Sequence, residues 1–237
     1  MSLQEKYFKY KAKYTNLKNQ LGGKLNQGEI DIVYELIDKD NSGSVEKQEF
    51  VDFFLNADKD KDGKITGKEF QNYLNEQLGD LFTLLDEFDG KKDGEILISE
   101  VNKFFDKIDT KKTGKFSDGE LKNALEKAGI TGEDRVKRLF NLFDSGSKSD
   151  SVIKKNEFNK VVNVLIKSAD TNKKGSVSVD EFKRKVNSIA YDVFYALDSN
   201  KDYEIEEKEL KELFNKNDVT KDGKLNKAEF TKMMKTC

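Results

Sequence analysis

DKDKDGKITGKEF, which runs from Asp58 to Phe70, contains a twelve-residue loop with oxygen-bearing side chains at alternate positions. A hard divalent cation such as calcium takes about six to eight oxygen ligands, drawn from carboxylates, a backbone carbonyl and water. Gly63 allows the sharp turn that such a loop needs, and Glu69 can bind with both carboxylate oxygens. The candidate ligands are Asp58, Asp60, Asp62, the carbonyl of Lys64, and Glu69. The spacing therefore predicts a calcium site.

Composition limits the other chemistry that this chain can perform. The 237 residues include no His, which removes the usual general base, the His-activated nucleophiles and His-based zinc sites. No phosphate loop of the form GxxxxGK[ST] occurs either. We therefore expect that the protein is not an enzyme. One Cys, at 237, excludes an intramolecular disulfide framework and favours a reducing, cytoplasmic location. No apolar run approaches the roughly 20 residues that span a bilayer.

The same loop pattern recurs along the chain, at residues 38–49, 58–69, 89–100, 109–120, 170–181, 198–209 and 218–229, and in degenerate form at 146–157. We number these loops 1 to 8 in chain order, so that 146–157 is loop 5. The further candidate ligands in the first half are Asp38, Asp40, Ser42, Ser44, Glu49, Asp89, Asp93, Glu95, Glu100, Asp109, Thr113, Lys115 and Glu120. Those in the second half are Asp170, Asn172, Ser176, Glu181, Asp198, Asn200, Asp202, Glu204, Glu209, Asp218, Thr220, Asp222, Lys224 and Glu229. Residues at the seventh place of a loop contribute a backbone carbonyl.

The loops differ in quality. Loops 3 and 4 carry Lys91 and Lys111 at the third place, where a carboxylate is needed, so we expect them to bind weakly or with rearranged ligands. Loop 5 lacks an acid at its first place unless Asp144 and two extra residues are admitted, and we expect it to hold no metal. Loop 6 carries Lys174 at the fifth place. In loop 7, Tyr203 replaces the glycine, which costs on the order of 1–2 kcal/mol in a left-handed conformation. Loops 1, 2 and 8 are therefore the strongest, loops 7 and 6 come next, and three to five occupied sites are expected.

These loops resemble those of the EF-hand superfamily of calmodulin and the calbindins over residues 28–237. The resemblance implies an all-α fold with a helix on each side of every loop, calcium as the bound ion, and a bidentate Glu at the twelfth place. One departure concerns the spacing, because Glu49–Asp58, Glu100–Asp109 and Glu209–Asp218 leave only eight residues between loops. We therefore expect one short helix, shared by two tandem loops, in each of these positions.

The loop positions repeat with an offset close to 109 residues, which indicates two similar four-loop lobes. We expect a basic N-terminal helix at 1–25, a first lobe at 26–130 and a second at 131–237. A shared helix is only about 18 Å long but keeps its two loops apart, so their partners must come from elsewhere. Packing the two shared helices of each lobe antiparallel predicts four β contacts within the lobes. These are Ile65–Ile96, Val45–Phe116, Val177–Ile205 and Ile153–Leu225.

Residues 1–24 differ from the remainder in charge and pattern. Six Lys against Glu5 give this segment a charge of +5, and apolar residues recur every three or four positions up to Gly22–Gly23. The pattern predicts an amphipathic helix, which could dock on its own protein, form a poorly ordered arm, or contact a membrane surface or a partner. The segment also resembles a Lys/Tyr-rich lead sequence that opens many giant DNA virus proteins. A viral origin would place the protein in the host cytoplasm or the virion.

Two functions are consistent with these patterns. The first is a calcium-ion binding protein that acts as a sensor or a buffer. We expect it to be a monomer that binds no nucleic acid, and a protein target that it binds with calcium is possible. Sensors of the calmodulin kind present Met-rich grooves, and the three Met here favour a buffer or a sensor with one dedicated partner. The alternative is a structural or tethering protein that uses its basic N-terminal helix while calcium only stabilises the fold.

Overall fold

The computed structural model describes residues 24–89, 92–144 and 152–235. Within these ranges the chain forms helices, and each connection between them except the one from α5 to α6 contains a very short strand. The helices are α1 (Gln27–Ile37), α2 (Lys47–Leu55), α3 (Gly67–Asp89), α4 (Ile98–Ile108), α5 (Asp118–Lys127), α6 (Glu133–Phe143), α7 (Lys155–Leu165), α8 (Val179–Leu197), α9 (Glu207–Asn217) and α10 (Lys227–Lys235). The strands are β1 (Val45–Glu46), β2 (Lys64–Thr66), β3 (Glu95–Leu97), β4 (Lys115–Ser117), β5 (Val152–Lys154), β6 (Ser176–Ser178), β7 (Glu204–Glu206) and β8 (Lys224–Leu225). The all-α, helix-loop-helix array expected from the sequence is confirmed.

The strands pair between the two halves of the chain. β1 pairs with β8, β2 with β7, β3 with β6 and β4 with β5, all antiparallel. Loop 1 therefore lies beside loop 8, loop 2 beside loop 7, loop 3 beside loop 6 and loop 4 beside loop 5. The central residue pairs are Val45–Leu225, Ile65–Ile205, Ile96–Val177 and Phe116–Ile153.

The four contacts predicted within the halves are therefore wrong. Ile65 does not pair with Ile96, nor Val45 with Phe116, nor Val177 with Ile205, nor Ile153 with Leu225. The physical reason is the length of the helix between loops 2 and 3. α3 has 23 residues and is about 34 Å long, so it holds the two loops at opposite ends. α8, with 19 residues, separates loops 6 and 7 in the same way.

The helices pair between the two halves as the strands do, with the first helix against the last. The reason is that the chain turns back on itself between α5 and α6. Gly129 (φ 71°) and Gly132 (φ 106°) lie in this turn with left-handed backbone. Beyond it, α6 returns along α5, and each later helix packs against an earlier one. The packed pairs are α5 with α6, α4 with α7, α3 with α8, α2 with α9 and α1 with α10. The boundary at 130 thus falls at the turn, and every β pair crosses it.

Aromatic contacts join the paired helices. Phe82 on α3 lies 5.3 Å from Phe182 on α8, between ring centroids. Phe50 on α2 and Phe214 on α9 are 5.7 Å apart. Phe104 on α4 stacks on the ring of Phe158 on α7 at 5.4 Å. Since these rings are all buried, the two halves share one hydrophobic core that runs from Leu25 to Met234.

α1 is buried along its length although it carries three acidic residues. Asn26 begins the helix, because its side chain accepts the Glu29 N–H while the Glu29 carboxylate accepts the Asn26 N–H. Lysines from α7, α8 and α10 neutralise the acids. The three ion pairs are Asp31–Lys160, Glu29–Lys185 and Glu35–Lys227. The second half of the chain therefore supplies the counter-charges for the first helix.

A second ionic contact joins α6 to α3. Asp80, buried on α3, accepts hydrogen bonds from Arg135 and Arg138 on α6, at 2.8 Å from Arg138 Nη2. Burial acts to raise the pKa of Asp80, but the two guanidinium groups outweigh it and hold the pKa below its ordinary value. This clamp fixes the first helix after the turn against the longest helix of the chain.

Several sequence-based expectations concern residues outside these ranges. The amphipathic helix and the tethering role expected of residues 1–24 fall almost wholly on residues 1–23, which lie outside the described part. The domain boundaries at 25 and 130 stay a prediction. No helix in the described ranges is both long enough and apolar enough to cross a membrane.

Asp80→Asn should lower the free energy of unfolding by about 2 kcal/mol, because it removes the charge that pairs with two arginines. Chemical denaturation measures this change. Asp106→Asn is the control, since Asp106 forms an exposed ion pair with Lys155 and should lose less than about 1 kcal/mol. Equal losses of unfolding free energy in the two variants would show that the contact of Asp80 with the two arginines stabilises the protein no more than an exposed ion pair does.

Burial raises the pKa of Glu35 to about 7, well above its value in an unfolded chain. Between these two pKa values the folded protein holds the proton more tightly than the unfolded chain does. The contribution of Glu35 to stability is therefore fully present below about pH 4.5 and lost as the pH rises through about 7. In calcium-free buffer, Glu35→Gln should flatten this fall in unfolding free energy, whereas Glu76→Gln, at an exposed side chain, should not.

Candidate metal sites

The loops share one backbone design. The first-place Asp follows the end of a helix, and its carboxylate accepts the N–H of the residue five positions later, as Asp38 does from Gly43 at 2.9 Å. The fourth and sixth residues have left-handed backbone, including Lys61 (φ 61°) and Gly63 (φ 85°) in loop 2. Six loops place a Lys at the fourth position, a regularity that the sequence analysis overlooked. The left-handed lysines are Lys61, Lys92, Lys112, Lys173, Lys201 and Lys221.

Loop 2 brings three of its predicted ligands together. Carboxylate oxygens of Asp58, Asp60 and Glu69 lie within 4.8 Å of one another. Asp58 Oδ2 accepts the Gly63 N–H at 3.0 Å, whereas Asp58 Oδ1 is buried and has no hydrogen-bond partner. A buried carboxylate oxygen without a partner is costly unless a cation neutralises it. Loop 2 therefore fits calcium, and the Lys64 carbonyl and Asp62 stay predicted ligands.

Loop 1 forms a second cluster of this kind. Oxygens of Asp38, Asp40 and Glu49 lie within 4.8 Å of one another. Asp38 is 1% exposed, and burial raises its pKa to about 6, so that a cation would favour its ionised form. Ser42 donates from its hydroxyl to the carbonyl of Ser44 at 2.9 Å, so two further predicted ligands face each other. The Tyr34 hydroxyl bonds to the carbonyl of Gly43 and links the loop to α1.

Loops 7 and 8 keep most of their predicted arrangement. In loop 8, Asp218 accepts the N–H groups of Asp222 and Gly223, and the Glu229 carboxylate closes over the backbone of Val219 and Thr220. Loop 7 is similar, and the ligands placed there are Asp198, Asn200, Asp202 and Glu209. Tyr203 has left-handed backbone at φ 71°, as expected. Burial raises the pKa of Asp198. The side chains of Lys224 and Glu204 form ion pairs across the loop pairs, with Glu46 and Lys64.

The carboxylates of loop 4 accept hydrogen bonds from other residues of the same loop. Asp109 Oδ1 accepts the backbone N–H of Thr113 at 2.9 Å, and the Thr113 hydroxyl donates to the carbonyl of Lys115. Glu120 accepts hydrogen bonds from the backbone and hydroxyl of Ser117 and, at 2.9 Å, from the hydroxyl of Thr110. The bond from the Ser117 N–H holds the pKa of Glu120 below its ordinary value. The loop's own donors therefore already stabilise its carboxylates.

Loop 6 contains a cation of its own. The ammonium of Lys174 lies 2.5 Å from Glu95 Oε1 of loop 3 and 3.8 Å from Glu181 Oε2. Asn172 donates to Glu181 Oε1 at 2.5 Å, and the hydroxyl of Ser176 donates to Glu95 at 2.7 Å. Predicted ligands of loops 3 and 6 thus bind protein donors, while Asp170 accepts the Lys174 and Gly175 N–H groups.

Loop 3 has a contact with an acid of the helix before it. Asp86, within α3, accepts the Gly94 N–H at 3.2 Å. Asp93 accepts the N–H of Glu95 at 3.1 Å. The side chains of Asp89 and Glu100 lie outside the described part, so their predicted roles stay predictions. The missed signal is that Asp86 is another acid at the end of the helical pattern.

Loop 5 lies largely outside the described residues, at 145–151. Asp144 is buried at the end of α6, and its N–H donates to the Phe140 carbonyl at 2.8 Å. The first-place Asp38, Asp109, Asp198 and Asp218 lie at helix ends in the same way. Asp144 therefore lies at a helix end as those first-place residues do, and the length of loop 5 stays a prediction.

Family models match ranges of the chain that contain most of these loops. The family model described as "EF-hand domain pair" matches residues 99–187 and 167–235, and together these ranges cover more than half of the chain. A second model, "EF hand", matches residues 50–74, and a third, "EF-hand domain pair", matches 14–57. The last match begins within the segment 1–25 that the sequence analysis had set apart.

Two curated proteins are similar to parts of the chain. An endoplasmic reticulum-resident calcium binding protein of Plasmodium falciparum is 28% identical over 180 residues, which cover 69% of this chain and 51% of that protein. A mitochondrial substrate carrier family protein C of Dictyostelium discoideum is 29% identical over 103 residues, covering 35% of this chain and 22% of that protein. The chain therefore spans about half of the first relative and less of the second. No solved structure matches the chain.

Gly63→Ala should lower the free energy of unfolding by about 1–2 kcal/mol, because the new Cβ meets no other atom but disfavours the left-handed backbone. Gly79→Ala is the matched control within α3, where a Cβ is also unobstructed. There the same change should stabilise the protein by about 0.5–1 kcal/mol. Denaturation in calcium-free buffer measures both, and a stabilising Gly63→Ala would contradict the loop geometry.

Proposed function

Since the chain belongs to the EF-hand family of calcium-binding proteins, we propose that it acts as a calcium buffer whose leading sites are loops 1, 2 and 8. The observation that best supports this proposal is the carboxylate cluster in loop 2. There, three carboxylates converge and one buried oxygen of Asp58 has no hydrogen-bond partner. A calcium ion would supply the missing counter-charge. The residues that would hold it are Asp58, Asp60, Asp62, Lys64 through its carbonyl, and Glu69.

Differences among the loops support an unequal distribution of sites. Loop 1 repeats the cluster of loop 2, and loop 8 retains five predicted ligands, Asp218, Thr220, Asp222, Lys224 through its carbonyl, and Glu229. Loop 7 has the strained Tyr203 backbone, which predicts a lower affinity. Affinity depends on the number of charged ligands and on the rigidity of the loop, so these four loops should span a range of calcium thresholds.

The core favours a buffer over a promiscuous sensor. Within the described ranges, the exposed large apolar side chains are Val179, at 38%, and Val219, at 66%. The sequence has three Met in all, and Met233 and Met234 pack in the core, so the chain offers few residues for a Met-rich groove. A buffer needs only the ion sites, whereas a sensor must also expose apolar surface on calcium binding.

The proposal also covers catalysis, oligomeric state and cellular location. The family is typically non-enzymatic, and we assign this chain no catalytic role. The chain acts as a monomer in the cytoplasm, a location that its single Cys supports. The Plasmodium relative is named for the endoplasmic reticulum, so fractionation of cells that express this chain should test the location.

Calcium titration by calorimetry, with an apolar dye followed in parallel, tests the proposal. The wild-type chain should release or absorb heat at three or more sites without a rise in dye fluorescence. Glu69→Gln should remove one site, because the twelfth-place Glu supplies two ligand oxygens. Glu212→Gln, at an exposed residue of α9 outside every loop, is the matched control and should leave the number of sites unchanged.

Each other outcome has a distinct meaning. Absence of calcium binding would refute the proposed function. Binding accompanied by a strong rise in fluorescence would replace the buffer with a sensor. Loss of a site in Glu212→Gln would show that the effect of Glu69→Gln is not local.

A further inference from the structure

The loops that fit calcium lie together. The pairs formed by loops 1 and 8 and by loops 2 and 7 occupy the two ends of the packed helices α2 and α9. The pairs formed by loops 3 and 6 and by loops 4 and 5 occupy the ends of α4 and α7. The long helices α3 and α8 connect these two regions, which we call the outer region (loops 1, 2, 7 and 8) and the inner region (loops 3, 4, 5 and 6).

Acidic clusters characterise the outer region. The groups of three carboxylates found in the described ranges are those of loops 1 and 2, one in each outer loop pair. The described part of the inner region contains no such group, although the side chains of Asp89 and Glu100 in loop 3 lie outside it. In both regions a hydroxyl group donates to the twelfth-place Glu, as Thr66 does to Glu69 in loop 2. In loop 4, both Glu120 oxygens accept hydroxyl groups, from Thr110 and Ser117.

Lys174 places a positive charge at a ligand position of loop 6. It holds the fifth place of loop 6, where the other loops offer an oxygen ligand. Its ammonium bridges the two loops of a pair, at 2.5 Å from Glu95 Oε1 and 3.8 Å from Glu181 Oε2. Glu181 is 4% exposed and also accepts hydrogen bonds from Asn172 and Ser178. A divalent cation in loop 6 would approach this ammonium and would compete with it for the same carboxylate.

We propose that Lys174 is a tethered cation that replaces calcium in the pair formed by loops 3 and 6, so that calcium acts on the outer region alone. This inference rests on the proposed calcium binding. The pKa values accord with it, since the hydrogen bond to Glu95 raises that of Lys174 and the Ser178 N–H lowers that of Glu181.

A division of this kind has a structural consequence. In the pair formed by loops 3 and 6, the Lys174 ammonium already contacts Glu95 and Glu181, so these two loops stay joined at any calcium concentration. In loops 1 and 2, three carboxylates lie within 4.8 Å of one another and repel one another until calcium binds. Calcium therefore orders loops 1 and 2 while the contact between loops 3 and 6 is already made.

The first test is a calcium titration of the wild-type chain followed by amide NMR. The N–H groups of Gly63 and Gly223 accompany outer loops, and those of Gly114 and Gly175 accompany inner loops. Resonances of Gly63 and Gly223 should shift with calcium while those of Gly114 and Gly175 stay within the background change. A shift of Gly175 in step with Gly63 would overturn the inference. If no resonance moves, the proposed function itself fails.

The second test replaces the tethered cation by a ligand. Lys174→Asp should gain one calcium site by calorimetry, and its melting temperature should fall in calcium-free buffer and recover with calcium. Lys173→Asp changes the same charge at the neighbouring exposed residue, whose left-handed backbone suits Asp, and should gain no site. Lys174→Met, which keeps the length without the charge, should lower the melting temperature without adding a site. An unchanged number of sites in Lys174→Asp would refute the role of Lys174.

Discussion

A helix keeps its two ends apart, and the arrangement of this protein depends on that constraint. Each helix that separates consecutive loops within one half of the chain, from the short α2 to the 23 residues of α3, holds those two loops apart. Such a loop therefore cannot pair with the next loop of its own half, because a rigid helix lies between them. Reversing the chain between α5 and α6 brings loops 4 and 5 together and places an antiparallel helix beside each earlier one, so that loops meet at both ends of the pairs α2–α9, α3–α8 and α4–α7. One turn, at Gly129 and Gly132, thus determines all four loop partners.

Charge balance is the second constraint, and the chain meets it in two ways. Loops 1 and 2 each bring three carboxylates within 4.8 Å of one another, whereas in loop 6 the side chains of Asn172 and Lys174 contact the twelfth-place Glu181. The same principle operates away from the loops, where lysines of the second half neutralise the buried acids of α1 and two arginines hold Asp80. Paired charges of both kinds connect residues distant in sequence, so they stabilise the packing of one half on the other.

Local features of this fold were predictable from the sequence, and long-range ones were not. The loop spacing identified the helices and the left-handed Tyr203, because ligand positions and turns depend on neighbouring residues. The pairing of Val45 with Leu225 was not predicted, because many of the loops have an apolar residue at the same position and several of them could have been the partner of Val45. The uninterrupted apolar pattern from Phe70 to Phe88 could have excluded a contact between loops 2 and 3. Contacts such as Lys174 with Glu95, or Gly94 with Asp86, depend on loop pairing and loop length, which spacing alone does not specify.

The nested pairing also bears on how the protein is made. β4 and β5 are the nearest partners in sequence, whereas β1 must wait for β8, which is about 180 residues further along. Synthesis proceeds from the first residue at about 5–20 residues per second, so β1 and α2 stay unpaired for roughly ten seconds or more. A high contact order of this kind slows folding. Folding is therefore expected to begin at the turn between α5 and α6 and to close outward, with α1 and α10 joining last.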